Sequence, residues 1–275
     1  MDDLDVAAVC DRFGLGMAVT PGMRVAGFHH NDVWRIDTIT GAYAVKRMGG
    51  PPPGSAVAIE LAALAAGVQV PAPVASPDGA YAAELDGAWV RVHRWLDGRG
   101  PTLAELTPEL AQHMGALLAD VHRAGSGADP EDTGGSVEAG DDRLGSLLEA
   151  TERPEGGGTV VRTHGDLHPK NVLLRVDGSL ALIDWDTAGA YVAEQEAAGV
   201  ALDWAARLDG GVDLERFDAA VRGYGGLPAE PWVFGGWVRG YLGFLGRAEG
   251  DERDRTLARL TRLAEDLPRL VSRLS

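Results

Sequence analysis

Asp166, Asn171 and Asp184 are the residues whose types and spacing can do chemistry together. Asp166 and Asn171 stand five positions apart in Thr163-His164-Gly165-Asp166-Leu167-His168-Pro169-Lys170-Asn171. Asp184 follows Asn171 by 13 positions in Ile183-Asp184-Trp185-Asp186. Asp177-Gly178, between them, is a strong hairpin turn that returns Asp184 toward Asn171. One acid that orients a hydroxyl, with two oxygen ligands for a hard cation, equips a chain for phosphoryl transfer. On this reading Asp166 accepts or orients the proton of the attacking hydroxyl, and Asn171 and Asp184 bind Mg²⁺.

His164 and His168 are four apart, a spacing that invites a zinc reading. Gly165 and Pro169 argue against the helix that would align them, and no glutamate between them can serve as a base. His164 is expected to brace the loop by hydrogen bonding, while His168 reads as either a packed residue or a phosphate contact. The chain has only two lysines, Lys46 and Lys170, and uses arginine at every other basic position. A lysine kept against that habit suggests a compact point charge. Lys46 lies in Ala44-Val45-Lys46, and Glu60 on the following helix is its expected partner in holding nucleotide phosphates.

These residues need elements to place them. Leu4–Phe13 reads as a short amphipathic helix. Asn31–Asp37 and Ala42–Arg47 alternate as strands around a turn, and further strands are expected near Ala80–Glu84 and Ala88–Trp95. Between them, Ser55 is a candidate cap for a helix running from Ala56 to Gly67. Gly98-Arg99-Gly100-Pro101 breaks the chain, which divides it into a nucleotide-binding lobe, 1–97, and a catalytic and substrate-binding lobe, 98–275. Beyond the break, helices are expected at Thr107–Ala124, Asp141–Thr151, Glu194–Leu208, Leu214–Tyr224, Glu230–Gly246 and Arg253–Leu274. Gly125–Gly140 has loop composition, and Thr159–Asp184 reads as strand, loop, strand, turn, strand. Sheet first and helices second means an α+β fold.

Composition limits the partners. The 275 residues carry a formal net charge of −16, which argues against nucleic acid and would attract a cationic small molecule. No apolar run approaches a membrane span, and the acidic start Met1-Asp2-Asp3-Leu4-Asp5 lacks signal-peptide character, so a cytoplasmic enzyme is expected. Cys10 is the only cysteine and reads as a small apolar residue on the first helix.

His164-Gly165-Asp166-Leu167-His168-Pro169-Lys170-Asn171 and Ile183-Asp184-Trp185-Asp186 resemble the signatures of the aminoglycoside phosphotransferase and choline kinase family. Val45-Lys46, Glu60, Gly67–Pro73, Trp95-Leu96-Asp97-Gly98 and the helix ending in Leu117–His122 match that family's pattern in order. The resemblance implies a protein-kinase-like bilobal fold, with an antiparallel sheet lobe carrying one key helix and a mainly helical second lobe. It implies ATP (GTP not excluded) and Mg²⁺, with Asp166 as the base, Asn171 and Asp184 as metal ligands, and Lys46 with Glu60 as a phosphate clamp. It also makes Val92–Trp95, including His93, Arg94 and Trp95, the hinge that meets adenine through its backbone.

The chain departs from the pattern in places. The phosphate loop Ala26–Asp32 has a single glycine, and its His29 and His30 read equally as phosphate contacts and as exposed turn residues. Arg94 stands where the family often has an acid, and Glu196 can take the place of a structural aspartate. Candidates for the acceptor site are Asp186, Glu196, Asp203, Trp204, Trp232, Trp237 and Tyr241, where acids would hold ammonium groups and aromatics would stack. Trp204, Trp237 and Tyr241 also read as core. The function expected is phosphate transfer from ATP to a hydroxyl of a small molecule, with a cationic antibiotic first. A kinase of an amino alcohol, sugar or homoserine-like metabolite comes second, and a nucleotide-binding regulator without catalysis is the reading from another class.

Overall fold

A computed structural model describes residues 4–28, 31–127 and 142–274. Helix α1 (Val6–Phe13) is capped by the Asp5 side chain, which accepts from the Ala8 N–H at 3.0 Å. It is followed by β1 (Met23–Phe28), β2 (Asn31–Thr38), β3 (Gly41–Met48), α2 (Gly54–Ala65), β4 (Ala83–Leu85) and β5 (Ala88–Arg94). These five strands make one antiparallel sheet in the order β1-β2-β3-β5-β4. Alternation explains its core: Ile36, Tyr43, Val45, Val90 and Val92 turn one face inward against Val9, Cys10 and Phe13 of α1. Cys10 is thus a packed apolar residue. Helix α2 starts at Gly54 after Pro53 with no side-chain cap, so Ser55 lies inside the first turn and does not cap it.

The rest is mainly helical: α3 (Pro108–Ala124), α4 (Asp142–Ala150), α5 (Ala193–Trp204), α6 (Leu214–Tyr224), α7 (Gly235–Leu245) and α8 (Gly250–Val271). Two small antiparallel pairs interrupt it. One joins β6 (Val160–Thr163) to β9 (Gly189–Val192), and the other joins β7 (Val172–Leu174) to β8 (Leu180–Leu182). The chain is therefore the expected α+β fold, with the sheet first and helices after it. Helix α5 stops at Trp204, earlier than periodicity suggested, and a short 3₁₀ turn (Pro231–Phe234) replaces the expected start of α7. Residues 128–141, most of the loop expected up to Gly140, lie outside the described residues.

Two packing details position the site. Gly115 of α3 and Gly223 of α6 face the partner helix's backbone, where a Cβ would come within 2.1 Å of Ala220 O and 2.0 Å of Gln112 O. Only glycine permits that approach. The second detail concerns α2. Its buried Ala56, Ile59 and Ala63 belong to the large core of the helical part, together with Met114, Leu118 and Trp185. The helix carrying Glu60 is thus keyed by apolar contact to the catalytic body, and meets the sheet through charge.

Candidate active site

The loop after β6 turns at Gly165, where φ is +81°. A Cβ there would lie 2.6 Å from Thr187 O and from the Tyr191 ring, so a side chain does not fit. The Gly165 N–H donates to Glu196 Oε1 at 2.8 Å, and Glu196 Oε2 meets His122 Nε2 at 2.8 Å. Burial would raise the Glu196 carboxyl, but His122 and the Gly165 N–H hold it below its ordinary value. Glu196 is therefore not open to an acceptor: it anchors the loop from below. A carboxylate taken out of water needs donors, and here the loop backbone and an imidazole supply them.

His164 braces the same loop. Its Nε2–H donates to Ile183 O at 2.8 Å and its Nδ1 accepts the Asp166 N–H at 3.3 Å. Burial depresses its imidazole below the usual histidine value. His168 is depressed for the same reason, and its Nδ1 accepts the Lys170 N–H at 3.2 Å. The side-chain amide of Asn171 donates to both Asp166 O and Asp166 Oδ2, each at 2.8 Å. Lys170 Nζ lies 3.4 Å from the same Oδ2, while the Asp166 side chain remains 39% exposed and open to an incoming hydroxyl.

The β7–β8 hairpin, turning at Gly178 with φ +81°, delivers Asp184. The Ile183 N–H donates to Asn171 O at 3.0 Å, which locks the two candidate metal ligands side by side. Asp184 itself sits in the left-handed region, φ +65°, an uncommon conformation for a residue other than glycine. The Asn171 amide nitrogen is spent on Asp166, which leaves its side-chain oxygen as the atom able to meet a cation. Two hard oxygen donors fit Mg²⁺, which takes its remaining ligands from phosphates and water. Among the described residues no three His, Cys, Asp or Glu side chains converge into a metal cage, so the zinc reading finds no support.

Lys46 and Glu60 do not pair. Lys46 Nζ donates to Asp184 Oδ1 and Asp186 Oδ2, each at 2.6 Å. Glu60 is held by the Arg91 guanidinium and by His93 Nε2 at 3.0 Å. The reason is register: Lys46 on β3 stands directly opposite Arg91 on β5, and the longer guanidinium reaches α2 first. Arg91 and Glu60 are each 1% exposed, and Arg91 NH1 also lies 3.7 Å from Asp186 Oδ1. Burial would raise Glu60, but His93 and Arg91 outweigh it and keep the carboxyl low. Asp186, expected at the acceptor, is thus committed to Lys46 and Arg91. Sequence reasoning overlooked Arg91; its signal was Arg91 and His93 alternating on one strand face opposite an acid-bearing helix.

The expected hinge is also differently engaged. The Arg94 N–H donates to Ala72 O at 2.8 Å and the Trp95 N–H to Ala42 O at 2.9 Å, so neither is free for a base. Arg94 NH1 reaches the Tyr43 hydroxyl at 2.8 Å, and Trp95 Nε1 reaches Asp97 Oδ1 at 2.9 Å. His29 and His30 lie outside the described residues. On the other side of the loop, Trp204 Nε1 donates to Leu167 O at 2.9 Å, and Trp232 Nε1 to Glu230 Oε2 at 2.8 Å. Both are core residues. Asp203 Oδ1 accepts from Trp237, Tyr241 and Arg259 together.

Residues 23–230 match the sequence profile of the APH phosphotransferase enzyme family. The chain belongs to that family. No curated protein is significantly similar to it in sequence. Solved structures share its fold at low identity. A spectinomycin phosphotransferase in complex with ADP and spectinomycin has TM-score 0.68 at 13% identity, covering 98% of each chain. An amicoumacin kinase in complex with AMP-PNP, Ca²⁺ and its ligand has TM-score 0.63 at 17% identity, covering 96% of this chain and 94% of that one. The ethanolamine kinase of Plasmodium vivax has TM-score 0.61 at 13% identity, covering 92% of this chain and 83% of that one. This family member is accordingly a small-molecule phosphotransferase in a protein-kinase-like fold, and its acceptor is a question for its own residues.

Proposed function

We propose that this chain transfers the γ-phosphate of ATP, with Mg²⁺, to a hydroxyl of a small molecule, and that an amine-bearing antibiotic is the first acceptor class to test. The observation that carries the reading is the convergence of Asp166, Asn171 and Asp184 with Lys46, which stands 138 residues before Asp184. In this reading Asp166 orients the acceptor hydroxyl and takes its proton, and the Asn171 amide holds the carboxylate in place. Asn171 and Asp184 hold Mg²⁺, which when bound neutralises charge developing on the phosphates. Lys46 leaves the two aspartates for the phosphates, and Glu60 acts on it through Arg91. With the Arg94 and Trp95 amides occupied, adenine does not take a backbone N–H from either of them. Residues 1–97 would then form the nucleotide lobe and 98–275 the catalytic and acceptor lobe, in a cytoplasmic protein.

The net charge of −16 supports a cationic acceptor, and the spectinomycin phosphotransferase and amicoumacin kinase support compounds of those two kinds as the first to try. The ethanolamine kinase supports a second reading, an amino-alcohol metabolite kinase. Among the described residues no helix is long and apolar enough to cross a membrane. The test is phosphate transfer from labelled ATP, then GTP, to panels of amine-bearing antibiotics, amino alcohols and neutral sugars. Phosphorylation of neutral or anionic compounds alone removes the antibiotic reading. Asp166→Ala should abolish nearly all turnover while ATP still binds, and Asp184→Ala should weaken Mg-nucleotide binding as well. Phosphate transfer no higher in wild type than in Asp166→Ala, both at background on every panel, returns the chain to a nucleotide-binding regulator.

A further inference from the structure

Asp203 on α5, Trp237 and Tyr241 on α7, and Arg259 on α8 form a cation site whose cation is supplied by the chain itself. The Trp237 and Tyr241 rings stack with centroids 3.9 Å apart at 22°. The Arg259 guanidinium lies 5.1 Å and 4.8 Å from their centroids. Arg259 NH2 donates to Asp203 Oδ1 at 3.0 Å, and NH1 donates to the Tyr241 hydroxyl. The same Asp203 oxygen accepts from Trp237 Nε1 at 3.1 Å and Tyr241 OH at 3.0 Å. A carboxylate beside two aromatic faces is the chemistry that recognises a guanidinium or an alkylammonium.

The site stands on the acceptor side of the catalytic loop. Trp204, the residue after Asp203, donates its indole N–H to the carbonyl of Leu167, the neighbour of Asp166. The Tyr241 hydroxyl is pushed up, first by burial and then by Asp203, with Asp166 close enough to add to the effect. The pair is not sealed: the Asp203 and Arg259 side chains remain 14% and 20% exposed, so a solute can reach them.

We infer that Arg259 is a specificity-determining residue that occupies this site and keeps acceptor ammonium groups away from Asp203. The inference rests on the reading of this face as the acceptor side. It means that Asp203, the neighbour of Trp204 on α5, is not an open anchor for an amine. An amine on the preferred acceptor binds elsewhere, and the part lying against Asp203 is uncharged. Deleting the guanidinium while keeping Asp203 and the two rings leaves a box for a free cation of the same shape.

The test uses the full chain with methylguanidinium and ethylammonium as probes, measured by calorimetric titration. Arg259→Ala should bind both at least about tenfold tighter than wild type, and Arg259→Ala with Asp203→Asn should lose that gain. Arg259→Met, which keeps the apolar stem, gives the same comparison if the alanine variant is poorly folded. In phosphate transfer, KM for amine-bearing acceptors should fall in the Arg259 variants, with KM for neutral acceptors unchanged. Equal probe binding in wild type and variant overturns the inference, as does a gain that survives Asp203→Asn. Failure of both variants to fold also overturns it, because the pair is then a structural tie. The probes need no turnover, so an acceptor panel that fails refutes the antibiotic reading and leaves the binding result standing.

Discussion

Asp184 carries its carboxylate on a left-handed backbone, φ +65°, and His164 is the residue that keeps that backbone in place. The His164 Nε2–H is committed to Ile183 O, and its Nδ1 lone pair to the Asp166 N–H. One neutral tautomer therefore ties the Asp166 loop to the Asp184 turn, and a proton on Nδ1 would break the second bond. Burial keeps the folded imidazole below its ordinary value of about 6.5. As pH falls through about 6.5 the unfolded chain takes up this proton before the folded one does, so stability is full above that value and lost below it. The melting temperature should decline from pH 7 to pH 5, and His164→Gln should lower it at pH 7 and flatten the decline. His168, also depressed by burial, leaves part of the slope in that variant. An identical slope in wild type and His164→Gln would show that the folded imidazole takes up its proton as readily as the unfolded one.

At the scale of elements, α2 is divided between two loyalties. Its apolar face joins the core of the helical part, while Glu60 reaches the sheet through Arg91 and His93 of β5. The fully buried Arg91–Glu60 pair is thus the polar joint between sheet and helix, and Asp186 extends it to Lys46. Breaking a buried ion pair typically costs about 3–5 kcal/mol, and here His93 stays on Glu60 and softens the loss of Arg91. Arg91→Met should therefore unfold at clearly lower denaturant than wild type, and Arg91→Met with Glu60→Gln should recover much of the loss. If Arg91 also positions Lys46, the double variant keeps a raised KM for ATP despite its recovered stability. A double variant with wild-type KM would reduce the pair to a structural tie.

For the whole molecule, the two apolar cores explain why the charged cluster of Lys46, Glu60, Arg91, Asp184 and Asp186 falls at their junction. The sheet packs on α1, the helices pack on one another and on α2, and the charged side chains gather where the two bodies meet. The net charge of −16 gives the chain as a whole a field that draws cations and is screened over roughly 10 Å at 0.1 M salt. Raising ionic strength from roughly 0.02 M to roughly 0.3 M should raise KM for an amine-bearing acceptor several-fold and leave a neutral acceptor unaffected. Equal salt dependence for both would separate the charge of this surface from its choice of substrate.

The local arrangement of the catalytic loop was legible in the sequence, because it is built from short-range rules. Gly165 and Pro169 shape a loop, Asp177-Gly178 turns a hairpin, and the spacing of Asn171 and Asp184 follows from three-residue strands on either side. The α+β order was legible for a similar reason, since strand alternation and helical periodicity act within a dozen residues. The partners of the charged side chains were not. Lys46 was expected at Glu60 and lies at Asp184 and Asp186; Glu196, read both as an acceptor candidate and as a stand-in for a structural aspartate, takes the structural place and holds Gly165; Asp203, a candidate for the acceptor, holds Arg259. Each of these choices depends on which distant segment reaches the acid first. That is set by the β3–β5 register and by how the helices pack, and neither is encoded in the spacing of residues along the chain.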